Sequence, residues 1–255
     1  MQSSRTNVFR KIVTSILPLG SRRRKLAKLI FKPRPHRSIW GLHPSEITEQ
    51  KIEDETRVFN ERIDILKKST LVASLSKDSV CIDCGANIGE VTAVFAETGA
   101  RVYAFEPHPI AFKKLSARFD GHSNVVLINK GVMDKNTTCK LYHSDLSTCD
   151  PVFFSQASSV YISQLTGELC DEVELVDLVE FITNLHTSID ILKLDIEGAE
   201  FCVLEQIIHK QLYRNIQSIL VETHDDRIPE IREIAIRVRD MIKEQAIDNI
   251  DLSWY

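Results

Sequence analysis

A buried strand that ends on an acid and turns at once through two glycines is compatible with few folds. Residues 80–89, VCIDCGANIG, have that form. The apolar run predicts a strand at 79–84. Gly85 permits a tight turn, and Gly89 permits close approach of a ligand or the strand to the start of a following helix. The pattern then repeats. Strands are expected at 79–84, 101–106, 124–129, 190–195 and 217–222, and helices at 88–98, 109–119, 198–213 and 228–245. Strands alternating with helices specify an α/β domain, a mostly parallel twisted sheet with helices on both faces. Residues 130–175 break the rhythm: rich in Ser, Thr, Asp and Gly, they show one expected strand, at 138–143.

Charge divides the chain in two. Eleven of the 32 basic residues and none of the 36 acidic ones lie in residues 1–45, so the rest carries a balance of −15. Residues 1–45 are read as a basic arm and linker, and 46–255 as the folded domain. Two readings of the arm stand. It is a solvated basic tail, or residues 1–35 form two short amphipathic pieces that rest on an anionic membrane. No run approaches ~18 consecutive apolar residues, and no leader with a cleavage site is evident. The expected location is therefore cytoplasmic, at the inner membrane face if the arm binds lipid. After the Pro-rich stretch 31–44, Ser45 and Glu46 can cap a helix carrying Val58, Phe59, Ile63 and Leu66 on one side. Cys81 and Cys84 form a CxxC, but no second pair of zinc ligands accompanies them, so buried reduced thiols are expected.

In an open parallel sheet, ligands sit beyond the carboxyl ends of the strands, where the strand order reverses. The turn Gly85-Ala86-Asn87-Ile88-Gly89 is a GxxxG. It lacks the middle glycine of the dinucleotide fingerprint GxGxxG, which weakens a dehydrogenase reading. Glu106 ends the second strand, 21 positions after Gly85, where an acid can accept hydrogen bonds from two ribose hydroxyls. Asp83 can meet an amine directly or through water. An acid at each of these two strand ends suits a nucleoside with an amino-acid tail, and S-adenosylmethionine has that shape. Asp83, Gly85, Ala86, Asn87, Gly89 and Glu106 are the expected cofactor residues. Asn129, ending the third strand, is expected against the adenine.

At this point a resemblance emerges. VCIDCGANIGEVTAVFA, VYAFEPHPIAFKKL, VVLINKGVMD, ILKLDIEGAEFCVLE and ILVETH, in that order, resemble the FkbM family of S-adenosylmethionine-dependent methyltransferases. The match spans about residues 78–225, and DIEGAE is its most specific part. It implies the Rossmann-like class I methyltransferase fold and O-methylation of a hydroxyl, often on sugars of glycans, glycolipids or polyketide-type products. After the fifth strand the remaining sequence is short for the family's closing hairpin, so that edge is expected to be shortened or to lack its last strand.

Methyl transfer to an alcohol needs the hydroxyl proton removed and the oxygen aligned with the methyl. Asp195 ends the fourth strand and Glu197 follows two residues on, and Glu222 and His224 end the fifth. With an unperturbed pKa near 6.5, His224 is the first choice of base. Asp195 and Glu197 are alternatives, or they orient the acceptor or the cofactor's methionine end. The same acids with His224 could hold a divalent metal ion, a reading placed second. Residues 143–170, with Phe153, Phe154 and Tyr161, offer faces for a sugar ring, or else fill the core. Three classes remain: a small-molecule or glycan O-methyltransferase, a nucleic-acid methyltransferase, and a catalytically silent nucleotide-binding module. The acidic body disfavours nucleic acid. Neither the acceptor nor the oligomeric state is written in the sequence.

Overall fold

The computed structural model describes residues 48–142 and 170–254. The basic arm and most of the 143–170 stretch, including Phe153, Phe154 and Tyr161, lie outside the described residues. The first element is α1 (Glu49–Lys67). Its cap is Thr48, whose hydroxyl accepts from the Lys51 N–H at 3.3 Å. The helix therefore starts later than a Ser45–Glu46 cap would place it.

Next come β1 (Val80–Cys84), α2 (Glu90–Ala96), β2 (Arg101–Phe105), α3 (Pro109–Arg118) and β3 (Val125–Ile128). The chain then makes β4 (Gly131–Met133), β5 (Thr137–Tyr142), β6 (Cys170–Asp177) and α4 (Leu178–Leu185). It returns through β7 (Ile189–Leu194), α5 (Glu200–His209), β8 (Ile216–Val221), α6 (Arg232–Glu244) and β9 (Ile250–Asp251). The five expected strands are all present, each ending within one residue of its expected bounds.

The main sheet has the order β3-β2-β1-β7-β8-β9, and every neighbouring pair is parallel. The order reverses between β1 and β7, which is where a parallel α/β sheet ordinarily takes its ligand. This is the α/β Rossmann-like architecture expected. The last edge is formed by the two-residue parallel strand β9, and the described residues contain no antiparallel hairpin there.

Strand alternation gives the sheet two apolar faces. Ile82, Cys84, Leu192, Leu194, Ile219 and Val221 pack with Leu178 and Ile182 of α4, Phe201 and Leu204 of α5 and Val238 of α6. Cys81, Val102, Ile191 and Leu220 pack with Ile63 and Leu66 of α1, with Val94 and Phe95 of α2, and with Trp254. The CxxC is thus divided between two cores and cannot grip one ion. Burial, with Asp190 and Asp83 nearby, pushes the Cys81 thiol up to about 12.

The stretch read as irregular holds more order than expected. β6 lies between β4, to which it is parallel, and β5, to which it is antiparallel. On β6, Val173 and Leu175 are buried while Glu172 and Glu174 are exposed. Asp177 caps α4 by accepting from the Glu180 N–H at 3.0 Å. Among the described residues, no helix is long and apolar enough to cross a membrane.

Candidate active site

The turn after β1 is closed by its own hydrogen bonds. Gly85 and Ala86 both donate to the Phe105 carbonyl, at 3.0 and 2.9 Å. Asn87 N–H donates to Glu106 Oε2 at 2.7 Å, Ile88 N–H to Asn87 Oδ1 at 2.8 Å, and Gly89 N–H to the Ala86 carbonyl at 2.9 Å. All five N–H groups from 85 to 89 are therefore committed within the fold. A phosphate would find no uncommitted backbone N–H on residues 85–89, which strengthens the case against a dinucleotide.

The two glycines answer to packing. Gly85 has φ +77°, and a Cβ there would collide with the Asp195 carbonyl oxygen, so the loops after β1 and β7 are pressed together. Gly89 has φ +90°, and a Cβ there would lie 2.7 Å from Leu115 of α3. Close approach at Gly89 thus serves the packing of α2 against α3. Ala86 is buried in the same small cluster.

Glu106 behaves differently. It is buried, and its two oxygens accept from the backbone N–H groups of His108 and Asn87, each at 2.7 Å. A carboxylate offers about four acceptor sites, so about two remain for ribose hydroxyls. Asn129 Nδ2 donates to the carbonyls of Glu106 (2.8 Å) and Pro107 (3.3 Å). Asn129 therefore braces the strand end, and its amide donor is not available to an adenine.

Desolvation pushes the Glu106 pKa up to about 7, against the pull of the His108 and Asn87 N–H groups. From its ordinary value of 4.5 to about 7, Glu106 holds more proton in the folded chain than in the unfolded one. Its contribution to stability therefore falls as pH rises through that window and levels off above it. The stability of the wild type relative to Glu106→Gln is thus expected to shrink between about pH 5 and about pH 8 in urea unfolding. A difference that stays constant across the window would show that Glu106 does not titrate there.

Asp83 is fully buried beneath the turn. Thr92 Oγ1 donates to its Oδ2 at 2.6 Å, and Lys193 Nζ stands 3.3 Å from its Oδ1. Asp83 anchors a lysine from inside the protein, which corrects the expectation that it meets a ligand amine directly. Lys193 is its cross-strand neighbour in the β1–β7 register. The same Nζ donates to the Gly85 carbonyl at 2.7 Å and lies 3.2 Å from Asp195 Oδ2. One buried cation thus ties the β1 end, the turn and the β7 loop. Burial works to raise the Asp195 pKa, but Lys193 and His224 outweigh it and hold it below the carboxylate range.

The segment DIEGAE forms the second half of the site. Glu200 opens α5 and is fully buried. Its carboxylate accepts from the N–H groups of Ile196 (3.0 Å) and Gly198 (3.1 Å). Those bonds hold Glu197 in the left-handed region at φ +51°, a conformation that persists where its surroundings over-determine it. A third partner of Glu200 is His224, whose Nδ1 lies 2.8 Å from Oε1. Glu200 already accepts from the backbone, so His224 Nδ1 is the donor.

β8 ends at Val221, short of His224. Arg227 and Ile228 donate their N–H groups to the His224 carbonyl at 3.0 and 2.9 Å, forming a turn from which the buried ring meets Glu200. Desolvation alone would lower the His224 pKa. Glu197 and Glu200, with the hydrogen bond to Glu200, reverse this and push it up to about 10. These acids favour the proton on the ring, so without a cation beside it His224 is a weaker candidate for a free base than its unperturbed value suggests; a bound cation would displace that proton. His224 Nε2 lies 3.4 Å from Glu197 Oε2 and 3.9 Å from Asp195 Oδ1. One donor atom from each of Asp195, Glu197 and His224 falls within 4.8 Å of the others.

The expected residues thus fall into two groups. Glu106 closes the turn after β1, and Asp195, Glu197 and His224 converge beside it. Asp83, Ala86, Gly89 and Asn129 hold the frame. Lys193 and Glu200 were expected only in structural roles, as a partner for Glu222 and an acid at a helix N-terminus, and not among the site residues. A lysine inside the apolar run ILKL was the one visible sign of the first.

The sequence profile of the Methyltransferase FkbM domain matches residues 83–246. The hexuronic acid methyltransferase AglP of Haloferax volcanii is 25% identical over 183 residues, covering 71% of this chain and 71% of that protein. The methyltransferase sdnD of Sordaria araneosa is 28% identical, over 60% of this chain and 69% of that protein. A crystal structure of methyltransferase FkbM from Methylobacillus flagellatus aligns with 66% of this chain at a TM-score of 0.42 and 16% identity, and the alignment takes in 38% of that longer chain.

Proposed function

This chain belongs to the FkbM methyltransferase family, and on that premise we propose that it is an S-adenosylmethionine-dependent O-methyltransferase acting on a sugar hydroxyl. The observation that carries the reading is the placing of Glu106 beside a turn whose backbone N–H groups are all committed and so not open to phosphate. Such a site suits a ribose without a diphosphate. The fit extends to charge, because a sulfonium and an ammonium suit a site bordered by acids. When bound, S-adenosylmethionine would supply an electrophilic methyl group. Glu106 would accept from the ribose hydroxyls through its remaining lone pairs, and the bonds from His108 and Asn87 fix its orientation.

The acceptor is assigned to the other half of the site. Asp83 and Glu200 are sealed, but the side chains of Asp195 and Glu197 keep 28% and 24% of their surface exposed. These are the carboxylates an incoming hydroxyl can reach, and their charge favours loss of its proton. Paired carboxylates also grip neighbouring hydroxyls of a sugar ring. The likeness to AglP, a hexuronic acid methyltransferase, supports a sugar of that class.

The test is calorimetric titration of S-adenosylmethionine and S-adenosylhomocysteine into the wild type and Glu106→Ala. Micromolar binding by the wild type, weakened at least about tenfold in the variant (about 1.4 kcal/mol), is expected. A folded wild type that binds neither compound overturns the proposal.

A further inference from the structure

His224 turns its second ring nitrogen, Nε2, toward two carboxylates. The ring is 1% exposed, and Nδ1 is committed to Glu200. Nε2 is buried without a hydrogen-bond partner, although two carboxylates face it. Buried polar atoms are rarely left this way in a well-packed interior.

We propose that Asp195, Glu197 and His224 bind one divalent first-row cation, of the manganese type, with Glu200 as the residue that positions the imidazole. The distances from Nε2 are those of ligands around one ion. Two ligands each ~2.0–2.2 Å from one metal stand no more than about 4.4 Å apart, and Nε2 lies 3.4 Å from Glu197 Oε2 and 3.9 Å from Asp195 Oδ1. The oxygens of Asp195 divide their work: Oδ2 faces Lys193 at 3.2 Å, and Oδ1 is the one turned toward His224. A carboxylate behind the far nitrogen of a ligating histidine is the usual outer support of such a site, and it aims the remaining nitrogen. Here the same Glu200 also holds the backbone loop that carries Glu197, so two of the three donors are preset by one side chain. The partial exposure of Asp195 and Glu197 leaves a path of entry and open coordination positions. Two carboxylates and one imidazole form a mixed oxygen–nitrogen set, suited to manganese and its neighbours rather than to calcium.

For catalysis the inference rests on the function proposed above. A cation at this point would bind the acceptor hydroxyl oxygen and make its proton easier to lose.

The experiment uses the full chain with Mn2+ as the probe. Loss of the free Mn2+ electron paramagnetic resonance signal is expected to report one site of micromolar affinity. Pulsed measurements are expected to show nitrogen coupling from a directly bound imidazole. Glu200→Gln should weaken binding about 10–100-fold, and His224→Ala should remove the nitrogen coupling. Should either variant fail to fold, nitrogen coupling in the wild type alone decides the matter. A free-ion signal unchanged by the wild type, or bound Mn2+ without nitrogen coupling, overturns the site. Calorimetry with S-adenosylmethionine, in chelator and then in Mn2+, separates the two claims. Cofactor binding without Mn2+ binding sinks only the cation. Mn2+ binding without cofactor binding sinks only the methyltransferase reading.

Discussion

Lys193→Met is expected to lower the free energy of unfolding by about 3–5 kcal/mol. The ammonium is buried on β7, with Asp83 Oδ1 at 3.3 Å, Asp195 Oδ2 at 3.2 Å and the Gly85 carbonyl at 2.7 Å. Methionine would fill most of the same space and leave all three oxygens without their cation. Asp83 suffers most, since it is fully buried and would keep only the Thr92 hydroxyl. Removing one member of a buried ion pair costs far more than the intact pair contributes, because the other charge stays desolvated. The double variant Asp83→Asn/Lys193→Met should therefore regain part of the loss. Urea unfolding of the four forms measures both effects. A loss under about 1 kcal/mol for Lys193→Met would mean that water reaches this cluster.

Glu197→Gln is expected to lower kcat by about 10²–10⁴-fold, with the Kd for S-adenosylmethionine nearly unchanged. The substitution keeps the length of the side chain and removes its charge, at a residue that Glu200 holds in place through the backbone on either side. Ile196 and Gly198 keep their bonds to Glu200, so the loop is expected to hold its shape. Glu106 sits at the end of β2, on the other half of the site, and its partners are untouched. Release of S-adenosylhomocysteine with hexuronic acid glycosides as acceptors gives kcat, and calorimetry gives Kd. Wild-type turnover in the variant would remove Glu197 from the chemistry. A parallel collapse in cofactor affinity would move it to the donor side.

How far the sequence could be read follows physical lines. The five strands of the parallel core are short apolar runs between turn signals, and this local pattern survives folding. The strand β6 also alternates, through Glu172-Val173-Glu174-Leu175, but its partners β4 and β5 come from a stretch whose composition suggests a loop. The convergence of Asp195, Glu197 and His224 was legible because strand ends gather at one side of such a sheet. Their division of labour was not. Glu200 looks like an acid placed for a helix N-terminus, and only folding brings it 2.8 Å from His224. Asp83 and Lys193 become partners through a register that no local pattern states. The pKa expected of His224 belonged to an isolated ring, whereas in the fold the carboxylates of Glu197, Glu200 and Glu222 push it up.

The contact between Gly85 and the Asp195 carbonyl has a consequence for laboratory evolution of this enzyme. The loop beside Glu106 and the loop bearing the acids are seated against each other with no room for a methyl group, so they form one rigid block. A saturation library at position 85 should return glycine alone, under selection for folding as much as for turnover. Specificity is better sought by varying segments that do not share this contact, and any opening and closing during the catalytic cycle has to occur elsewhere in the chain.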